Sequence, residues 1–260
     1  MIKLVAFDVD GTLRDNDYLP ESTREALRRL RQSGVALSLC TGRSEFEMAS
    51  LREELGIDWA VTCNGSHIGY RGKTVFGTSL QKDKVRMWLQ KAEKLNHTLL
   101  LYGAEQMWIT RTDDPLFRRA QQEIGFMEPL PLGADWADQD VYQCIAFIRE
   151  EEQREYIEEG ERYYLHRWRP WAVDINPEGL NKAVGLHRLM NRLGLSPDEV
   201  AAFGDSTNDH EMIESVGAGI AMGNATDLLK SKARFVTKPL HEGGIAYAVD
   251  RWILTGSGQV

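Results

Sequence analysis

A chain of 260 residues can hold one large or two modest domains around a sizeable core. Its 42% hydrophobic and 27% charged residues are those of an ordinary globular protein, and no stretch approaches the roughly 18 apolar residues of a membrane span. With 31 basic and 39 acidic residues the net charge is −8, which argues against broad binding to nucleic acid or anionic membrane but not against a phosphorylated metabolite held by a few local cations.

The first apolar run, residues 2–7, reads as a short buried strand of a parallel sheet. At its carboxyl end stand Asp8 and Asp10, then Gly11-Thr12. Ligands bind outside the carboxyl ends of strands in open α/β sheets. Two acids this close disfavour each other's ionisation, so stability alone does not call for them. A solvated Asp-Gly turn is the bland alternative. A polar loop follows at 14–17, and Pro20-Glu21-Ser22-Thr23 offers helix-start residues. Leu27 and Leu30 carry a helical stripe that Gly34 stops. Residues 35–40 form a second strand delivering Thr41-Gly42-Arg43-Ser44, then a helix. Residues 57–62 form a third strand ending in Cys63-Asn64-Gly65. Strands alternating with helices predict a doubly wound parallel sheet.

The rhythm then changes. Residues 66–80 read as one or two hairpins, 82–96 as a helix and 97–110 as two strands joined at Gly103-Ala104. A helix, a loop over 128–140, a strand over 141–148, a helix over 150–160 and two strands meeting near Arg169-Pro170 complete an α+β insert. The first pattern returns at Gly179, with a helix after Leu180-Asn181-Lys182 and a strand over 200–203 that ends in Gly204-Asp205-Ser206-Thr207-Asn208-Asp209. Two more strands, further helices and a frayed tail at 256–260 close the chain. The expected domains are a core from residues 1–80 and 179–260 and an inserted cap over 81–178.

Cys40, Cys63 and Cys144 fit neither a disulfide framework nor a zinc cluster and read as reduced and mostly buried. No histidine pair has metal-ligand spacing. Asp8 and Asp10 interrupt the first apolar run too early for a signal peptide, so a cytoplasmic protein is expected.

Asp8/Asp10, Thr41-Gly42, Lys182 and Asp205/Asn208/Asp209 all fall at strand or helix ends of one sheet. Together they resemble the four motifs of the haloacid dehalogenase superfamily of phosphohydrolases. The insertion after the third strand and the Asn64-Gly65 turn before it resemble the Cof-type members. "FDVDGT" and "GDSTND" carry most of the likeness, which spans nearly the whole chain. Ala183 stands where glycine is common in the family, and a helix tolerates alanine there better.

The resemblance implies a Mg²⁺-dependent phosphatase. Asp8 is then the nucleophile that forms an aspartyl-phosphate, and Asp10 the acid–base group. Mg²⁺ is held by the side chains of Asp8 and Asp205 and the backbone carbonyl of Asp10, with Asp209 binding through water or orienting a ligand. Val9, Thr41, Gly42, Lys182 and Asn208 are the expected phosphate contacts.

Each residue has a plainer reading. Lys182 reads as a solvated lysine from its surroundings alone, Thr41 as an N-cap, and Asp205 with Asp209 as acids at a helix N-terminus. Arg43 could support the mouth of the site or pair with a surface acid. The insert tryptophans, Trp88, Trp108, Trp136, Trp168 and Trp171, read first as cap core and second as a stacking surface. Arg111, His166, Arg167 and Arg169 could read a second anionic group or be cap surface.

The expected substrate is a small phosphorylated metabolite, a sugar phosphate first, with neither nucleic acid nor membrane as partner. The protein is expected to be a monomer or weak homo-oligomer. A phosphosugar mutase on the same scaffold and a non-catalytic phosphometabolite-binding protein are the rivals.

Overall fold

The computed structural model describes residues 1–254, so the tail expected at 256–260 lies outside the described residues. Strand β1 (Leu4–Phe7) is fully buried. It is followed by α1 (Glu21–Gln32), β2 (Ala36–Cys40), α2 (Glu45–Leu55) and β3 (Trp59–Thr62). Strands β4 (His67–Tyr70) and β5 (Lys73–Gly77) form a hairpin that turns back along β3.

A second set of elements then begins with α3 (Lys82–Leu95), β6 (Thr98–Tyr102), β7 (Met107–Ile109), α4 (Pro115–Ile124) and β8 (Leu130–Pro131). It ends with β9 (Gln143–Phe147), β10 (Tyr164–Arg169) and β11 (Ala172–Asn176). The chain returns to the first set through α5 (Lys182–Leu193), β12 (Val200–Gly204), α6 (His210–Glu214) and β13 (Ala218–Ala221). Helix α7 (Asp227–Lys232), β14 (Phe235–Val236) and α8 (Gly244–Ala248) complete it.

The strands form two sheets. One has the order β14-β13-β12-β1-β2-β3-β4-β5, and the other β10-β11-β9-β6-β7-β8. In the first, β14 through β3 run parallel, and Phe7 lies between Leu39 and Phe203 in register. The carboxyl ends of β1, β2 and β12 therefore share one rim. That registration places Asp8, Thr41 and Asp205 side by side, since each begins the loop after its strand. Helices cover the faces and bury Leu27, Leu30, Met48, Leu186 and Leu189 against the strands. The second sheet is antiparallel except for β7 with β8. Trp88, Trp108 and Trp136 are buried in the cluster on one of its faces.

Two expectations fail locally. The helix read over 150–160 is only a run of 3₁₀ turns at Glu150–Glu155 with no buried residue. Four of those six residues are glutamates with no apolar stripe to pack, and helical stability comes mostly from such packing. The loop read over 128–140 contains β8, which pairs Leu130 with Trp108, and a 3₁₀ turn at Asp135–Asp138 that buries Trp136. All three cysteines are free and buried. No described helix is long and apolar enough to cross a membrane.

Candidate active site

The chain leaves β1 through a tight turn. The Val9 carbonyl accepts the N–H groups of Thr12, Leu13 and Arg14 at 3.3, 2.9 and 3.0 Å. Asp8 stays buried while Asp10 reaches outward. Thr12, fully buried, donates from Oγ1 to Asp205 Oδ1 at 2.7 Å and ties the first motif to the last.

Lys182 is the first residue of α5 and is 1% exposed. Its Nζ donates to Asp8 Oδ1 at 2.6 Å and to Asp209 Oδ1 at 2.7 Å. The plain reading of a solvated lysine is thus overturned, and the cause is long-range packing. A Cβ on Gly65 would lie 2.1 Å from the Asn181 carbonyl oxygen, and one on Gly185 would lie 2.6 Å from Gly65 Cα. Two bare glycines let the first turn of α5 close onto the turn after β3, which carries Lys182 inward.

Asp209 accepts Lys182 on one oxygen and the N–H groups of Asp205 and Ser206 on the other, each at 3.0 Å. Residues Thr207–Asp209 form a 3₁₀ turn, and α6 starts at His210. Asp205 and Asp209 therefore meet through a turn, not along a helix face. Both oxygens of Asp209 hold donors, so it joins Lys182 to the Asp205 loop.

Carboxylate oxygens of Asp8, Asp205 and Asp209 come within 4.8 Å of one another. Burial pushes the Asp8 carboxyl up, as do Asp209 and Asp205, and Lys182 opposes the rise. Burial and Asp209 together push Asp205 up to about 6. Burial works to lower the Lys182 ammonium, but Asp209 and Asp8 outweigh it and hold the charge in place. Three carboxylates against one ammonium leave negative charge in excess. A hard divalent cation with oxygen ligands fits such a donor set.

Thr41 is buried, and its Oγ1 accepts the N–H of Arg43 at 3.1 Å. It is not a helix cap, because Ser44 caps α2 in a capping box with Glu47. The most consequential residue that sequence reasoning left open is Arg43. Its guanidinium, 5% exposed, grips Asp10 through two bonds of 2.6 and 3.0 Å. It also donates to Glu47 at 3.3 Å and to the Ile124 and Gly125 carbonyls that end α4, the latter at 3.4 Å. One side chain thus joins Asp10 to the other sheet's helix. The spacing of Ser44 and Glu47 was a legible cue to a capping box there.

Asn64, fully buried at φ 49°, is a second junction. Its Nδ2 donates to Gln143 Oε1 at 3.1 Å and Asp174 Oδ2 at 3.0 Å, and its Oδ1 accepts from Asn208 at 3.0 Å. Gln143 donates on to the Gly42 carbonyl at 3.0 Å, and Asn176 donates to Gln143 Oε1 at 3.0 Å. These amides link the loops carrying Gly42 and Asn208 to the antiparallel sheet.

Between the two sheets lies a cavity of about 160 Å³. Asp8, Asp10, Thr41, Gly42 and Asn208 line one side, and Tyr102, Phe126, Gln143, Trp168 and Asp174 line the other. His166 and Arg169 also reach it, whereas Arg111 bonds Asn96 and Arg167 bonds Ile148 and Gln153 elsewhere. Val9 and Lys182 are buried beneath the lining. Of the insert tryptophans, Trp168 faces the cavity, and Trp88, Trp108 and Trp136 are core.

A family model for haloacid dehalogenase-like hydrolases matches residues 5–249, and the chain belongs to that family. It is an enzyme of the family's phosphatase type. It is similar to YkrA of Bacillus subtilis, named as a phosphatase, with 35% identity over 95% of this chain and 96% of that protein. It is 31% identical to YcsE of the same organism, a 5-amino-6-(5-phospho-D-ribitylamino)uracil phosphatase, over 97% of this chain and 96% of that one. The crystal structure of a hypothetical protein from Geobacillus kaustophilus superposes with a TM-score of 0.88 at 38% identity, covering 96% of this chain and 98% of the other.

Proposed function

We propose that the protein hydrolyses a small phosphorylated metabolite, a sugar phosphate first, through an aspartyl-phosphate on Asp8. The observation that carries this reading is the buried chain Asp8–Lys182–Asp209 meeting Asp205 beneath a cavity, on the rim where three strands end. The ribityl phosphate named for YcsE supports a polyol leaving group.

In this reading the Asp8 Oδ2 oxygen attacks phosphorus, since Oδ1 is held by Lys182. Asp10 protonates the departing oxygen and later takes a proton from the attacking water, a contribution of about 10²–10⁴-fold. Arg43 fixes the direction of that carboxyl group. Thr41, the Gly42 and Val9 N–H groups and Asn208 hold phosphate oxygens, and Lys182 offsets their charge. Asp8, Asp205 and the Asp10 carbonyl would hold Mg²⁺, with Asp209 orienting the loop. The ion would supply positive charge against the phosphate dianion.

The antiparallel unit, residues 81–178, serves as a cap over the core of 1–80 and 179–260, and it selects the leaving group while excluding water. We place the enzyme in the cytoplasm, as a monomer or weak homo-oligomer with neither nucleic acid nor membrane as partner. A panel of phosphorylated metabolites, assayed for phosphate release with Mg²⁺ and with chelator, tests the reading. Asp8→Asn is expected to lose all turnover with its melting midpoint kept. Turnover by that variant would sink the nucleophile assignment. Release that needs a bisphosphate would favour the mutase.

A further inference from the structure

The charged groups that line the cavity are matched in pairs with one exception. Arg43 is held by Asp10 and Glu47. Arg169 gives Nε to Glu123 at 3.0 Å and lies over the Trp168 ring at 5.6 Å. Beneath the lining, Lys182 is shared by Asp8 and Asp209. The exception is Asp174, on β11 and 5% exposed. Its oxygens accept the Trp168 indole N–H at 2.8 Å and the Asn64 amide at 3.0 Å. Among the described residues the only basic group at ion-pair distance is His166, with Nδ1 3.6 Å away. The cap wall thus presents a buried carboxylate that no arginine or lysine matches.

We propose that Asp174 is the specificity-determining residue of the leaving-group half of the site, accepting hydroxyl or amino donors and turning away substrates with a second phosphate. The proposal rests on the phosphatase reading and deepens it. A polyol offers donors along its edge and C–H groups on its face. The wall answers with Asp174 for the first, and Trp168 and Phe126 for the second. A second phosphate would meet Asp174 with every neighbouring arginine already engaged. Like-charge juxtaposition of this kind is a strong means of rejecting a wrong partner. The same wall counts against a mutase, which must accept a bisphosphate.

The test uses the full chain carrying Asp8→Asn, with Mg²⁺, and calorimetric binding of a hexose monophosphate and the matching hexose bisphosphate. The monophosphate is expected to bind at least about tenfold more tightly. Asp174→Asn should shrink that ratio by about tenfold. Glu123→Gln releases Arg169 without touching the buried amides, so it should shrink the ratio several-fold even if Asp174→Asn fails to fold. An unchanged ratio in Glu123→Gln and any folded Asp174→Asn protein, tighter bisphosphate binding by the parent, or binding of neither ligand would overturn the proposal. Phosphate release from the same ligands by protein with Asp8 intact is followed separately. Absent release with the binding ratios as expected would sink the phosphatase reading and leave the binding assignment standing.

Discussion

Replacing Lys182 by methionine keeps most of the length and the helix propensity of the side chain and removes its charge and its donors. Asp8 and Asp209 then lose the ammonium that lies 2.6 and 2.7 Å from them. Asp209 keeps two backbone N–H groups, so Asp8 is the acid that must be neutralised. Protonating a carboxyl of ordinary value about 3.9 at pH 7 costs about 1.36 kcal/mol for each of about three pH units, or about 4 kcal/mol. That agrees with the roughly 3–5 kcal/mol lost when one partner of a buried pair is removed.

The sign of the pH dependence follows. A carboxyl whose folded value is raised binds its proton in the folded state first, so the variant gains stability as pH falls toward the unfolded value. Burial raises Asp8 in the parent too, so the deficit against the parent is at most about 4 kcal/mol at pH 7 and should shrink to at most about 1.5 kcal/mol at pH 5. Urea unfolding at both pH values, without divalent cation, measures it. A deficit under about 1 kcal/mol at pH 7, or one that does not shrink, would refute the view that Lys182 compensates buried acids.

Other perturbations address separate contacts. Arg43→Lys cannot reproduce the two-bond grip on Asp10 together with the bonds to the α4 carbonyls. Losing one such charge-assisted bond, about 1.5–3 kcal/mol, should lower kcat/KM about 10- to 100-fold; a change under about threefold would remove Arg43 from positioning Asp10. Burial holds the His67 imidazole down to about 4, between Thr62 at 2.8 Å and Thr74 at 3.0 Å. The unfolded chain therefore binds the extra proton between about pH 6.5 and 4, and up to about 3 kcal/mol of stability is lost as pH falls through that window. His67→Gln should flatten the pH dependence of urea midpoints there, and an unaltered slope would show that His67 does not contribute.

The strand-end acids were legible because a buried apolar run can end in carboxylates only where the rim meets solvent or ligand. Asp8, Asp10 and Asp205 followed from that, and the alternation of strand and helix made the parallel core sheet legible. Lys182 was legible only through family likeness. Its burial depends on Gly65 meeting Gly185 across 120 residues, which no local window contains. Arg43 was unassigned for a similar reason, since its second set of partners lies on α4 at Ile124 and Gly125. The glutamate-rich segment at 150–155 looked helical by propensity, but propensity without a buried face did not make a helix. Asp174 resembled any strand acid until Trp168 and Asn64 were seen to close on it.

The junction at Asn64 divides the enzyme into two electrostatic regimes. Around Asp8 the side-chain contacts join charged groups, Lys182 with Asp8 and Asp209, and respond to protons. At the junction, Asn64, Gln143, Asn176 and Asn208 exchange bonds between amides that carry no net charge at any ordinary pH, and the Asp174 carboxylate that Asn64 also bonds is the one charged member. Protons that perturb the first leave the amide–amide bonds of the second in place. A pH–rate profile therefore reads carboxylates, and not the amides that join the two sheets.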